Sequence, residues 1–326
     1  MSRLVAILSL SLAGLLFAGL AWGEQHLDWA ELAALLRGEA SPEVWMIVMD
    51  LRLPRSLLAM LAGMALAVAG AIAQAVMRNP LAEPGILGIN AGAALAACLV
   101  IVAFGNVSPG LLPWAGFAGA AGMAAAVFVL SWKNGTSSLR IILIGIGLSS
   151  LAAAGTSFLT AFGNVADVQR AMIWLSGSVY GADWNRVRTL LLWLAVPIAL
   201  TWLSFRQLDL IRFGDDAARS FGQRVNLVRA FLILLCTLIS GATVAAAGLI
   251  GFVGLIAPHL ARRMTGPGHA RLIPVSGLIG GLLLMASDLV GRTVIAPVQI
   301  PAGLVTALIG APFLAFLLWG RRHAAV

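Results

Sequence analysis

The residues able to do chemistry are few and scattered. His26, His259, His269 and His323 lie too far apart in the sequence to suggest a metal centre, and the bland reading of each is a satisfied or solvent-facing ring. Cys98 and Cys236 sit inside apolar runs and read as small buried hydrophobes rather than a disulfide or a metal pair. There is no HExxH zinc motif and no G-x-S-x-G nucleophile turn. Lys133 is the only lysine, so no G-x-x-x-x-G-K-[ST] loop exists to cradle a nucleotide's phosphates. The sequence therefore predicts no catalytic residue, no cofactor and no metal site on this chain.

Two acids come near apolar segments, Glu83 and Asp288, each toward an edge. An ion-driven carrier wants carboxylates near the membrane midplane. Asp288 has Arg292 one helical turn later, an i,i+4 spacing that neutralises it. That pattern weighs against proton coupling and points to energy supplied by a partner.

The segment RNPLAEPGILG (78–88) is the most informative. It follows an apolar Gly- and Ala-rich run, and Pro80, Pro84, Gly85 and Gly88 stop one helix and delay the next. Broken backbone beside lipid is tolerated only where protein or water satisfies its polar groups. Asn79, Pro80, Pro84, Gly85 and Gly88 are therefore expected beside a pathway, together with Pro258 and His259 in a second, shorter broken run.

The elements that must hold these residues follow from composition. The chain is 60% hydrophobic and 10% charged, with mean hydropathy +0.98; a soluble domain carries about 25% charged residues. The fold class is an all-α polytopic membrane protein of a single domain in a lipid bilayer. The net charge of +8 is spread among apolar spans rather than gathered on one face, so it does not point to nucleic acid. About 20 apolar residues cross a bilayer core. Nine spans are expected at 4–22, 56–77, 86–104, 111–131, 139–161, 188–204, 228–249, 272–290 and 303–319, with a short broken tenth at 252–263. The first is read as a spanning helix because its 19 apolar residues exceed a signal peptide's core, usually about 7–15 residues. With ten spans and both termini cytoplasmic, 14 of the basic residues face inside and 7 outside, as the positive-inside rule requires. The outer loop 23–55 is acidic instead, with Glu24, Asp28, Glu31, Glu39, Glu43 and Asp50.

A shift of 178 residues overlays AGMALAVAG (62–70) on SGATVAAAG (240–248), and further on Pro80 on Pro258 and Gly88 on Gly266. The matched spans are the second and seventh, which cross in opposite directions, so an inverted repeat is expected. Gly63, Ala67, Gly70 and Ala71, and again Gly145, Gly147 and Gly155, read as close-packing positions. The inner loop 205–228 is polar and long, and Asp215, Asp216, Ala217 and Ala218 followed by Gly222 predict a short helix with acids in its first turn and a glycine stop. It is either a solvated connector or a docking element.

Three long segments resemble the signatures of the membrane permeases of binding-protein-dependent ABC importers for ferric siderophores, haem and cobalamin: 51–88, 248–281 and 288–318. DDAARSFG (215–222) is similar to the loop with which such permeases grip their ATPase. The resemblance spans nearly the whole chain and implies ten spans per subunit, short cytoplasmic coupling helices, a homodimer or heterodimer of permeases, two ATPase subunits inside and a periplasmic binding protein outside, in the bacterial inner membrane. It also implies that Arg52, Arg55 and Arg292 face the binding protein, and that Asp215, Asp216, Ala217, Ala218 and Gly222 couple to the ATPase. Where many members carry a glutamate before the proline, this chain has Gln299 ahead of Ile300 and Pro301. An iron(III) siderophore is the favoured cargo, ahead of haem and cobalamin. A secondary carrier acting alone and a membrane-embedded enzyme are the other classes; the first shows uptake without ATP, and the second needs converging polar side chains within the spans.

Overall fold

Apolar runs separated by proline, glycine and short charged stretches fold as a helical bundle. The computed structural model describes residues 2–23, 25–105 and 110–322; Glu24 and His323 lie outside the described residues. In chain order the helices are α1 (Ser2–Ala21), α2 (Trp29–Arg37), α3 (Pro42–Trp45), α4 (Leu53–Val76), α5 (Ile89–Phe104), α6 (Leu111–Leu130), α7 (Ser138–Phe162) and α8 (Val165–Leu175). They continue with α9 (Trp184–Leu203), α10 (Phe205–Arg212), α11 (Asp215–Ser220), α12 (Val225–Ala247), α13 (Val253–Thr265), α14 (His269–Thr293) and α15 (Ala302–Arg322). A π-helical stretch, Met46–Arg52, runs into α4.

Among the described residues, 8 helices are long and apolar enough to cross a membrane: α1, α4, α6, α7, α9, α12, α14 and α15. The two remaining expected spans fall on shorter helices, α5 with 16 residues and α13 with 13. At 1.5 Å per residue these reach about 24 Å and about 20 Å, less than the roughly 30 Å of a bilayer core. The expected span 86–104 is thus shorter than the sequence suggests, because Pro84–Leu87 forms a 3₁₀ turn and Gly88, at φ +76°, starts α5 only afterwards. Proline in the first turn and the left-handed glycine fix that boundary. α2, α3, α8 and α10 are helices the apolar pattern does not announce, since each is too short or too polar to read as a span.

The centre of the bundle is α4, whose side chains from Ala65 to Val76 are all buried. It lies against α14, α12, α13 and α9. A Cβ on Gly63 would overlap the Gly280 carbonyl of α14, and one on Gly70 would overlap the Gly254 carbonyl of α13. These are backbone-to-backbone contacts, with no side chain able to yield. α1, α6, α7 and α9 turn apolar side chains outward, among them Leu10, Leu143, Phe158 and Leu192.

The repeat is visible as matched packing. α4 rests on α14, and α12 rests on α6. Gly63 supplies the first seam and its repeat partner Gly241 the second, where an added Cβ would come within 3.0 Å of the Phe117 ring. Beyond Gly70 and Gly248 the 178-residue register fails. Pro80 lies in a turn while Pro258 is inside α13, and Gly88 opens a helix while Gly266 closes one. The break after α4 runs from 77 to 88 and that after α12 only from 248 to 252, so a fixed shift cannot follow both.

Not every small residue is a packing position. Gly147 has nothing near the place of a Cβ. Gly63→Leu is expected to abolish the monodisperse peak of the detergent-solubilised protein in size-exclusion chromatography, since overpacking against a carbonyl exceeds the usual penalty of about 1–3 kcal/mol. Gly147→Ala is expected to elute as the unaltered protein does.

Candidate functional site

Three places bring polar groups together: a double break inside the bundle, a cluster at the end that the charge bias predicts to face outward, and a helix pair at the end that it predicts to face inward; these are called the outer and inner ends by that expectation.

The double break joins the segment after α4 to the segment after α12. Residues 248–252 run without helix and α13 begins only at Val253. The carbonyls of Leu249 and Gly177 sit where only Gly303, at the start of α15, allows approach. Pro84 lies against Gly254, which in turn rests on Gly70 and the Leu66 carbonyl of α4. Gly70 is six residues before the end of α4, so the break penetrates about 9 Å from that end. Glu83 is drawn in with it, deeper than its expected place at an edge. Its Oε2 accepts the backbone N–H of Phe252 at 3.1 Å. Phe252 holds φ +67°, a left-handed conformation that an aromatic residue seldom takes, and its ring fills the space that Gly310 of α15 leaves open. Gln74 of α4 donates to the Leu255 carbonyl at 3.3 Å.

The residues expected beside a pathway fall in three places. Pro84, Gly85 and Gly88 line the double break, with Gly88 against Met123 of α6. Pro258 is buried in α13, and the next residue, His259, meets Phe313 of α15 edge-on at 5.9 Å. Asn79 and Pro80 stay nearer the inner surface, where the Asn79 side chain accepts from the Leu81 N–H at 3.0 Å. Sequence reasoning missed Phe252; the flanking glycines Gly251 and Gly254 were the only signal.

At the outer end, Arg52, Arg55 and Arg292 do form one cluster, and each donates to acceptors within the protein. Arg52 donates to the carbonyls of Leu20 at 2.6 Å, Ala21 at 2.9 Å and Gln25. Arg55 grips Asp288, with Nη2 at 2.8 Å and Nε at 3.0 Å from Oδ1, and donates Nη1 to Gln299 at 2.7 Å. Arg292 donates to the Gly19 carbonyl at 2.7 Å and stands 3.8 Å from Asp288. The neutralisation of Asp288 read from the i,i+4 spacing is therefore delivered mainly by Arg55, 233 residues away in sequence. Gln299 takes the place of an acid and still serves Arg55 as an acceptor. Two cavities open beside the cluster. One of about 550 Å³ is lined by Arg55, Trp174, Tyr180, Arg186 and Gln299, and one of about 580 Å³ by Glu43, Arg52, Arg55, Arg292 and Gln299.

At the inner end the expected short helix is present as α11, preceded by the unexpected α10. Gly222 stops it at φ +79°, its N–H bonded to the Arg219 carbonyl at 2.8 Å. The expected coupling residues divide by side. Asp216 is exposed, beside Phe213, Arg219 and Phe221. Ala218 is buried, Ala217 half-buried, and Asp215 turns inward to Arg229 of α12 at 2.6 Å. Arg229 is fully buried and also donates to the Thr136 carbonyl at 3.0 Å and hydroxyl at 2.8 Å. A single arginine among the apolar residues of VNLVRAFLILL was its signal.

A broken-helix bundle with a charged inner helix pair defines a membrane transport permease, and the chain belongs to the FecCD transport family, matched over residues 10–320. It is 40% identical to the probable siderophore transport system permease protein YfhA of Bacillus subtilis, over 98% of this chain and 95% of that protein. It is 38% identical to the Fe(3+) dicitrate transport system permease protein FecD of Escherichia coli, over 98% and 99% of the two chains. A solved transporter assigned to the metal-chelate ABC type, in an inward-facing conformation, superposes with a TM-score of 0.89 at 29% identity, covering 98% of this chain and 100% of that one.

Removing one member of a buried ion pair strands the other charge, at about 3–5 kcal/mol. Asp288→Ala is expected to lower the melting temperature of the detergent-solubilised protein sharply. The paired change Arg55→Met with Asp288→Leu is expected to recover part of that loss, the rest remaining because Arg292 still lacks its carboxylate.

Proposed function

We propose that this chain is the permease subunit of a binding-protein-dependent ABC importer that moves an iron(III) siderophore across the bacterial inner membrane, with both termini in the cytoplasm. It pairs with a second permease, two copies of an ATPase dock on its inner face, and a periplasmic binding protein docks on its outer face. It needs no cofactor of its own. One observation carries this reading. The helix pair α10 and α11 presents Phe213, Asp216 and Phe221 to the inner solvent, on a chain with no phosphate-binding loop of its own. Exposed aromatics amid charge on a short helix suit a partner groove rather than a bare connector. The siderophore assignment is supported by what the relatives YfhA and FecD are named for.

In this mechanism the loaded binding protein settles over the outer cavities. The exposed Arg186 lines one of them, with exposed Arg188 two residues on in α9, and Arg52, Arg55 and Arg292 form the floor. ATP binding in the partner displaces α11, and the displacement opens the path inward. The chain makes and breaks no bond.

Reconstituted with ATPase and binding protein in proteoliposomes, the chain is expected to take up ferric siderophore only with ATP present. Accumulation against a gradient by the chain alone would overturn the assignment. For docking, Arg186→Glu with Arg188→Glu is expected to slow binding-protein association, and more so at low salt. Reversing Arg52 or Arg55 instead removes internal hydrogen bonds, so it reports stability before docking.

A further inference from the structure

The inner helix pair is fastened to the bundle by two carboxylates. Asp215 ties α11 to α12 through Arg229. Asp209 ties α10 to α14: one oxygen, Oδ1, lies 2.6 Å from Nδ1 of His269 and accepts the His269 backbone N–H at 3.0 Å. Gly268 stands at the cap of α14 and has no side chain to satisfy that first turn. Asp209 does so from another element, at the end where a carboxylate is favoured. The His269 ring is fully buried. Partial burial alone raises the Asp209 carboxyl, but the hydrogen bonds from the His269 ring and backbone, with the charges of that ring and of Arg212, outweigh it and hold the carboxyl below its ordinary value. Arg212 itself donates to the Pro267 carbonyl at 3.0 Å, a second clasp on the same turn.

α14 then meets α4 across Gly63 and Gly280, where no Cβ separates the backbones. A side chain there would absorb a small displacement; a backbone seam passes it on. α10 also lies directly against α4.

We propose that Asp209 and His269 are positioning residues for the ATP-driven step, whose contact fastens the inner helix pair to α14 so that a push on α11 arrives as movement of α14 against α4. This rests on the reading of α11 as the surface that meets the ATPase. Arg229 is unsuited to a test, because its removal takes a partner from Asp215 and from the Thr136 carbonyl and leaves a large buried void.

The experiment uses the full transporter with its ATPase and binding protein, and reads ATPase retention on affinity purification separately from cargo moved per ATP hydrolysed. Asp209→Ala and His269→Ala are expected to retain the ATPase and its hydrolysis and to lower cargo per ATP about tenfold or more. The double substitution is expected to match the worse single one, because one contact cannot be lost twice. Asp209→Asn keeps an oxygen for the His269 N–H and is expected to recover cargo per ATP to within about threefold of the unaltered protein. Cargo per ATP within about twofold of normal in Asp209→Ala overturns the proposal, as do losses that multiply in the double substitution. Loss of the ATPase from Asp209→Ala overturns it as well, since the residue would then serve docking or folding. Failure of the ATPase to bind the unaltered chain is a different result, and it sinks the functional reading instead.

Discussion

Unpaired backbone inside a membrane has no water to turn to, and that constraint shapes the middle of this protein. Two spans are broken, at 77–88 and at 248–252, and each leaves polar groups that the protein itself must satisfy. Part of the solution is mutual: the carboxylate from the first break accepts the N–H of Phe252 in the second. The rest is geometric. Gly254, Gly303 and Gly310 let neighbouring backbone and the Phe252 ring come close enough to fill the space the missing helix would have occupied. A carboxylate and a few missing methyl groups thus allow a bundle to contain irregular chain without exposing it to lipid.

The charged groups are distributed by a related rule. Apart from Glu83, the buried charged residues sit toward the two ends of the bundle and are bound within the protein. At the outer end Asp288 is shared between Arg55 and Arg292, which also reach Gln299 and the Gly19 carbonyl. At the inner end Arg229 is fully enclosed yet has three hydrogen bonds. Buried pairs of this kind contribute little net stability against an apolar alternative, but they penalise any arrangement that separates them. They fix which helix ends stay together.

How much of this was legible in the sequence depended on the range of the interaction. Local signals were read well. The prolines and glycines of 78–88 announce a break, the apolar runs announce the 8 long apolar helices, and Asp215 to Gly222 announces a short helix stopped by glycine. Long-range partners were not legible. Nothing in the sequence says that Arg55 meets Asp288, that Asp209 caps α14, or that Arg52 spends its donors on α1 and the loop after it. The internal acceptors of Arg52, Arg55 and Arg292 are invisible in the sequence for the same reason. The repeat was half legible for the same reason: helix seams preserve register, while the breaks between them differ in length.

The same distribution bears on how such a molecule can be driven from one end. A bundle of side chains packed on side chains dissipates a displacement, because each contact can adjust by a rotamer. Here the inner helix pair is held by short charged contacts, Asp215 with Arg229 and Asp209 with His269. Beyond them lie glycine seams, Gly63 with Gly280 and Gly70 with Gly254, at which backbone touches backbone. Both kinds of contact are stiff, and both converge on α4, which carries the first break at its end. A displacement of the α10–α11 pair therefore reaches the irregular chain beside α4 with few compliant joints between.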